Sequence, residues 1–273
     1  MKKIVVALLC SAGLALTAAA QQSVDETHPV SADATITVNS ISGSIKVVGS
    51  DRADVRITGT LGRGIEKLEV TGSGSRLEIR VVYPHNCDNC GDANLELSVP
   101  AGSRPEVETV SADIDIAGVK GDARVESVSG DVTVETAGSI SVQTVSGRLR
   151  VQGAGTRVDA NTVSGDLELN LKSLAHGNLG TVSGDVRVDT DLAPSGWFKA
   201  ESVSGSVELR LSASASADFD VKSFSGSIRN DFGPAASRID EYGPGRGLRF
   251  LIGDGSARIY LESFSGDVRI IKK

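Results

Sequence analysis

The segment Thr162-Val163-Ser164-Gly165-Asp166-Leu167-Glu168-Leu169 is followed 19 residues later by Thr181-Val182-Ser183-Gly184-Asp185-Val186-Arg187-Val188. The two are copies of one unit. Further copies start at Ser127, Thr144, Ser202, Ser223 and Ser263, and degenerate ones read Ile41-Ser42-Gly43-Ser44-Ile45 and Val110-Ser111-Ala112-Asp113-Ile114. From Gly130 the motif glycines step by 17, 18, 19, 21 and 21 residues and then by 40, which reads as two steps with one copy replaced by the loop-like Asn230 to Gly247. After each Ser-Gly the apolar residues alternate, as in Leu167, Leu169 and Leu171, which is the spacing of a strand with one buried face. Before it the phase slips: Ile259 and Leu261 are two apart, but Phe264 comes three later. A one-residue slip turns the inward face through a corner. The glycine is then expected to share the inward parity of its flanking valines, where a missing side chain lets the backbone bend or a neighbouring coil come close.

Units this short cannot enclose a core alone and must stack. The sequence therefore predicts an all-β chain, a β-solenoid (β-helix) of 17-21-residue coils whose equivalent strands lie about 4.8 Å apart in parallel sheets. Outward residues at equivalent positions must then tolerate one another. The column Thr133, Arg150, Glu168, Arg187, Glu208, Arg229 alternates in charge from Arg150 onward. Like charges at that spacing would repel by roughly 0.9 kcal/mol even in bulk water. A second column, Asp131, Arg148, Asp166, Asp185, Ser206, Ser227, places Asp166 beside Asp185 as a mismatch, and its carboxylates read as solvated turn residues. The serines and threonines read as ladders bonding along the stack.

Residues 21–109 carry the same strand habit less regularly, in segments such as Thr35 to Val38, Leu77 to Val81 and Leu95 to Val99. They read as an irregular N-terminal β region, either the opening coils of the same body or a small β-domain beside it. Residues 110–273 hold the regular repeats with the insertion near 230–247. Residues 1–20 have the layout of a secretory signal peptide: Lys2 and Lys3, an apolar run from Ile4 to Leu16, then Ala18 to Ala20. Leu9 stands where lipidation of Cys10 would want a small residue. Cleavage removes Lys2 and Lys3 and takes the net charge from −7 to −9. The mature chain is expected to be exported, periplasmic or at the cell surface, with no membrane span after signal cleavage.

An acidic balance gives no basic face for phosphates, so nucleic acid is not an expected partner. Cys87 and Cys90 are the cysteines left after cleavage, and in an oxidising compartment a local disulfide is the default. Redox catalysis of the thioredoxin sort needs a helix N-terminus and a βαβ context to lower a thiol pKa, neither of which the sequence shows, and a metal site with His85 lacks a clear fourth ligand. Calcium-binding β-rolls use nine-residue repeats, half the length found here. No Gly-x-Ser-x-Gly elbow occurs, and His28, His85 and His176 are not near a repeated serine in sequence. No catalytic, cofactor or metal residue is assigned, and the chain is read as not an enzyme. Trp197 reads as a turn-packing residue, and Trp197, Phe198 and Tyr242 are the sparse candidates for a sugar platform.

The serial Val-Ser-Gly-Asp-Val units, Ile45-Lys46-Val47 followed by Asp51 to Val55, Leu97-Ser98-Val99-Pro100-Ala101 leading into Val110, and the ending Gly253 to Ile270 together resemble the putative-adhesin family of bacterial envelope proteins. The resemblance covers roughly residues 33–271 and implies a β-helix of unknown function with no enzymatic residues to carry over. The resulting expectation is a non-enzymatic structural, adhesin-like or interaction scaffold of the cell envelope, binding an envelope protein or glycan through its long polar face or the 230–247 insertion. Oligomerisation through the solenoid ends is a further expectation. The alternatives are a carbohydrate-active β-helix enzyme and an envelope redox sensor using Cys87 and Cys90.

Overall fold

The computed structural model describes residues 21–85, 90–239 and 243–273. Among them there is no helix, and 21 strands join one continuous hydrogen-bonded system. No described helix is long and apolar enough to cross a membrane.

The fold is the β-solenoid that the repeats predict. From Ala123 onward each coil contributes one strand before its Ser-Gly corner and one after, and each of these pairs in parallel with its equivalents in neighbouring coils, whereas Gln22–Ser50 and Arg104–Val119 run unbroken through their corners and Asp54–Leu61 pairs antiparallel with Gln22–Ser50 and Ala93–Pro100. Before the corner, Ser40, Thr109, Ser127, Thr144, Thr162, Thr181 and Ser202 stand in one register. After it, Ile45, Ile114, Val132, Leu149, Leu167, Val186 and Val207 do the same. The inward residues, including Val142, Val151, Leu169 and Leu209, are 0–1% exposed and belong to one hydrophobic cluster running from Val24 to Ile270. Each buried aliphatic side chain contributes roughly 1.5–3 kcal/mol of transfer free energy, offset by the entropy of ordering the chain. No coil keeps that contribution without a neighbour above or below it.

The motif glycine has a steric cause. A Cβ at Gly147, Gly165, Gly184 or Gly205 would fall well inside 3.0 Å of the carbonyl oxygen of the preceding coil's motif glycine. Gly147 also takes φ +110°, a conformation that L side chains rarely adopt. The Asp that follows has a structural role as well. Asp131 N–H donates to the Asp113 carboxylate, Arg148 N–H to Asp131, Asp185 N–H to Asp166 and Ser206 N–H to Asp185, each at 2.9 Å. The carboxylates expected to be merely solvated thus pair corner amides that the sheet ladder leaves over. The expected Asp166–Asp185 mismatch is accordingly a hydrogen bond, and Arg187 sits 2.6 Å from Asp185 and 3.7 Å from Asp166.

Stacking departs from chain order at both ends. Strand Leu192–Ser204 pairs not with the next copy but with the C-terminal strand Ala257–Ser265, which in turn pairs with Ala217–Ser223. After the corner, Val207–Leu211 likewise meets Val268–Lys272, with Ile228–Asn230 beyond it. The last repeat in sequence is therefore next to last in space. Arg269, not Arg229, stands beside Glu208, at 3.9 Å, and Arg229 lies beside Arg269. This corrects the expected order of the charge column at its end while leaving Arg150, Glu168, Arg187, Glu208 and Arg269 alternating. Within the 230–247 insertion, the short strand Ser237–Arg238 and the first residues of Arg246–Ile252 pair antiparallel, and Arg246–Ile252 covers Ala217–Ser223. At the other end the 29-residue strand Gln22–Ser50 is held between Lys67–Val82 and Ala93–Pro100 on one side and Arg104–Val119 on the other.

Candidate interaction ridge

At each corner two adjacent residues take opposite sides. The Ser or Thr that opens each motif turns inward and is 0–7% exposed, and in most coils its hydroxyl donates to a corner carbonyl, whereas Thr162 Oγ1 is buried with no hydrogen-bond partner among the described residues. Thr144 reaches Ser146 O at 3.0 Å, Ser202 reaches Gly184 O at 3.2 Å and Ser263 reaches Gly205 O at 2.9 Å. Several of these bonds run from coil to coil, joined by Thr109 Oγ1 to Ser127 Oγ at 3.0 Å. With this residue turned inside, strand alternation points the next one out. That residue is the apolar one of Val-Ser-Gly.

The expectation that these valines face inward is therefore corrected. Ile41, Val110, Val128, Val145, Val163, Val182, Val203, Phe264 and Phe224 are all 44–54% exposed. Their neighbours in the register place them one above another, in that order, as a ridge about 38 Å long at sheet spacing. Phe264 and Phe224 stack at 4.7 Å with their planes 7° apart, so the ridge ends in an aromatic pair created by the intercalated last repeat. Grooves flank the ridge. One, of about 690 Å³, runs past Ile41, Val110, Val128, Val145 and Val163, and a second, of about 380 Å³, past Val182, Val203 and Phe264; both share Asn161 and Thr162. Sequence reasoning missed this ridge because apolar side chains default to the core. The available signal was parity: Val142 and Thr144 share a face, so Val145 cannot also lie on it.

Two columns border the ridge. On the side of the first strand stand Glu108, Glu126, Gln143, Asn161, Glu201 and Glu262. Beyond the exposed serines on the other side runs the Asp column already described. Asp267 is held below the ordinary carboxylate value, chiefly because it accepts the Ser227 amide and hydroxyl at 2.9 and 2.8 Å, with Arg269 adding to the effect. It stays ionised and structural at once.

The aromatic candidates occupy other positions. Trp197 stacks on His176 at 4.7 Å with planes 23° apart, one coil to the next, so a ring face is taken by a neighbour. Lys199 and Lys222, from the coils on either side, lie over the Tyr260 ring at 5.8 and 5.3 Å. Phe198 is fully buried. A sugar platform needs an open aromatic face; here stacking along the axis directs ring faces at protein. Tyr242 lies outside the described residues, as do Cys87 and the signal segment 1–20. Cys90 is described, with its Sγ 3.3 Å from the Gly64 carbonyl oxygen. Among the described residues no group of three or more His, Cys, Asp or Glu is placed to hold a metal ion.

The sequence matches the Toastrack DUF4097 family over residues 35–271. No curated protein matches it. Among solved structures it is similar to a putative adhesin from Bacteroides fragilis at 12% identity and a TM-score of 0.56, covering 93% of this chain and 99% of that one. A putative adhesin from Parabacteroides distasonis matches at 12% identity and a TM-score of 0.44, over 93% and 98% of the two chains. The first likeness, at that identity, concerns the fold. With a family match that spans nearly all of its coils, the chain belongs to the Toastrack DUF4097 family.

Proposed function

We propose that the chain is a non-enzymatic, exported interaction scaffold of the bacterial envelope, adhesin-like in the sense that it holds an elongated partner along one edge. The observation that carries this reading is the ridge of half-exposed apolar side chains from Ile41 to Phe224. A soluble protein seldom leaves so long a contiguous apolar line unless something covers it. Residues 1–20 support export, and the putative-adhesin descriptions of the fold relatives are consistent with an envelope role. The helix N-terminus that would activate a redox thiol is absent from the described residues. The cysteine pair is read as a structural staple.

A photo-crosslinking residue placed at Val145 should trap a partner in cells of the native host, and one placed at Asn170, on the strand after the corner and away from the ridge, should not. Equal labelling at the two positions, or none at Val145, would overturn the reading. Turnover of envelope glycans by the purified mature chain would overturn the non-enzymatic assignment.

A further inference from the structure

We infer that the occupant of the ridge is a basic, amphipathic polypeptide segment, bound along the N-terminal half of the groove where Val110, Val128 and Val145 stand. The inference rests on the scaffold reading and adds the chemistry of the partner. Its ground is the charge on either side of the apolar line. The coil Arg104–Val119 turns Glu106 and Glu108 outward before Val110 and Asp113 and Asp115 outward after it. The next coil adds Glu126 and Asp131 in the same two columns. Of these six carboxylates, Glu126 has an ion-pair partner, Arg124 at 2.5 Å. Glu106 accepts a hydrogen bond from the Thr37 hydroxyl at 3.3 Å, and Asp113 accepts the Asp131 amide; neither contact neutralises the charge. Arg124 stands beside Glu106 and Lys46 beside Asp115 in the adjacent strands; in the two columns next to the ridge, Glu108–Glu126 and Asp113–Asp131, the nearest basic side chain is Arg148, one coil past Asp131.

An apolar line bordered on both sides by carboxylates selects its complement. A segment whose Leu, Val or Phe side chains pack against Val110 to Val145 can reach the two acidic columns with Lys or Arg on either side. Desolvating the apolar contact would give affinity, and the charges would give orientation and encounter rate. A second copy of this chain is disfavoured as occupant, because its ridge carries the same acidic borders and the two would repel. Anionic glycans and anionic lipid surfaces are disfavoured for the same reason.

Fluorescence anisotropy with purified residues 21–273 tests this, using a synthetic Lys/Leu peptide, a Lys/Ser peptide of equal charge and a Glu/Leu peptide. The Lys/Leu peptide should bind, the Lys/Ser peptide should bind roughly tenfold more weakly for want of apolar contact, and the Glu/Leu peptide should not bind. Glu108→Gln with Glu126→Gln and Asp115→Asn should weaken Lys/Leu binding by roughly three- to tenfold, and added salt should do the same. Val128→Ser with Val145→Ser should weaken it without loss of fold, since both side chains are half exposed; if melting shows otherwise, the charge variant decides alone. Binding of the Glu/Leu peptide as tight as that of the Lys/Leu peptide, or unchanged affinity in the charge variant, would overturn the inference. If Val145 traps a partner in cells while the Lys/Leu peptide fails to bind, the basic partner is wrong and the scaffold reading survives. If Val145 traps nothing, the scaffold reading itself has failed.

Discussion

The carbonyl oxygen of Gly184 occupies the place where a Cβ of Gly205 would stand. The same relation repeats up the corner, so the repeat is conditioned by contact between coils more than by turn geometry within one. Gly205→Ala must therefore push two coils apart at a hydrogen-bonded corner. A loss of about 1–3 kcal/mol is expected in urea melts, the range for overpacking a tight site. Gly233→Ala, whose added methyl would meet nothing nearer than 3.6 Å, should be close to neutral. Equal effects at the two positions would refute the steric account.

The intercalated C-terminus gives a second test. In a solenoid stacked in chain order, removing the last repeat trims one end. Here, deletion of 257–273 withdraws strands Ala257–Ser265 and Val268–Lys272 from between two others, leaving Phe198 and Ala200 on one side and Phe219 and Val221 on the other without their neighbour. Hydrogen exchange should rise in both flanking strands, and segment 217–252 should lose its protection as a unit. Retained protection at 217–223 would contradict the observed order.

Charge supplies a third, whose sign depends on that order. Arg229 stands beside Arg269 and is separated by it from Glu208. Arg229→Glu should thus relieve a like-charge neighbour and stabilise the protein by up to about 0.5 kcal/mol at low salt, the gain fading as salt is added. With Arg229 directly beside Glu208, the same substitution would destabilise. Thermal melts of the single variant at two ionic strengths distinguish the two arrangements.

What could be read from the sequence follows the same physics. The recurrence of Ser-Gly and the alternation after it reveal the stack, because a carbonyl directly above each glycine admits nothing larger and the core admits little that is polar. The order of the last coils was not legible. Phe224 and Phe264, like Arg229 and Arg269, are the same residue types in matching places, so either repeat satisfies Glu208 and either continues the ridge. The ridge was hidden for another reason. Burying Thr144 and exposing Val145 inverts the usual hydropathy rule, and the Thr144 hydroxyl's bond to the Ser146 carbonyl offsets the cost of burying it. The carboxylate of Asp166 was misjudged because its partner is a backbone amide 19 residues away, which no side-chain column displays.

Acid should weaken the C-terminal corner. Asp267 accepts the Ser227 amide and hydroxyl, so its folded pKa lies below the ordinary 3.8 of an unfolded chain. A carboxyl group depressed on folding contributes stability that is fully present above the unfolded pKa and is lost as pH falls through the folded one. Between neutral pH and about pH 4 this contribution should be constant, and below about pH 4 it should decline. Asp267→Asn keeps an oxygen that can accept from Ser227 but removes the charge and the titration. The variant should therefore start from a somewhat lower melting temperature at pH 7 and lose less of it than the parent on acidification to pH 2. Parallel melting-temperature curves for parent and variant across that range would show that Asp267 does not couple protonation to the packing of the last two coils.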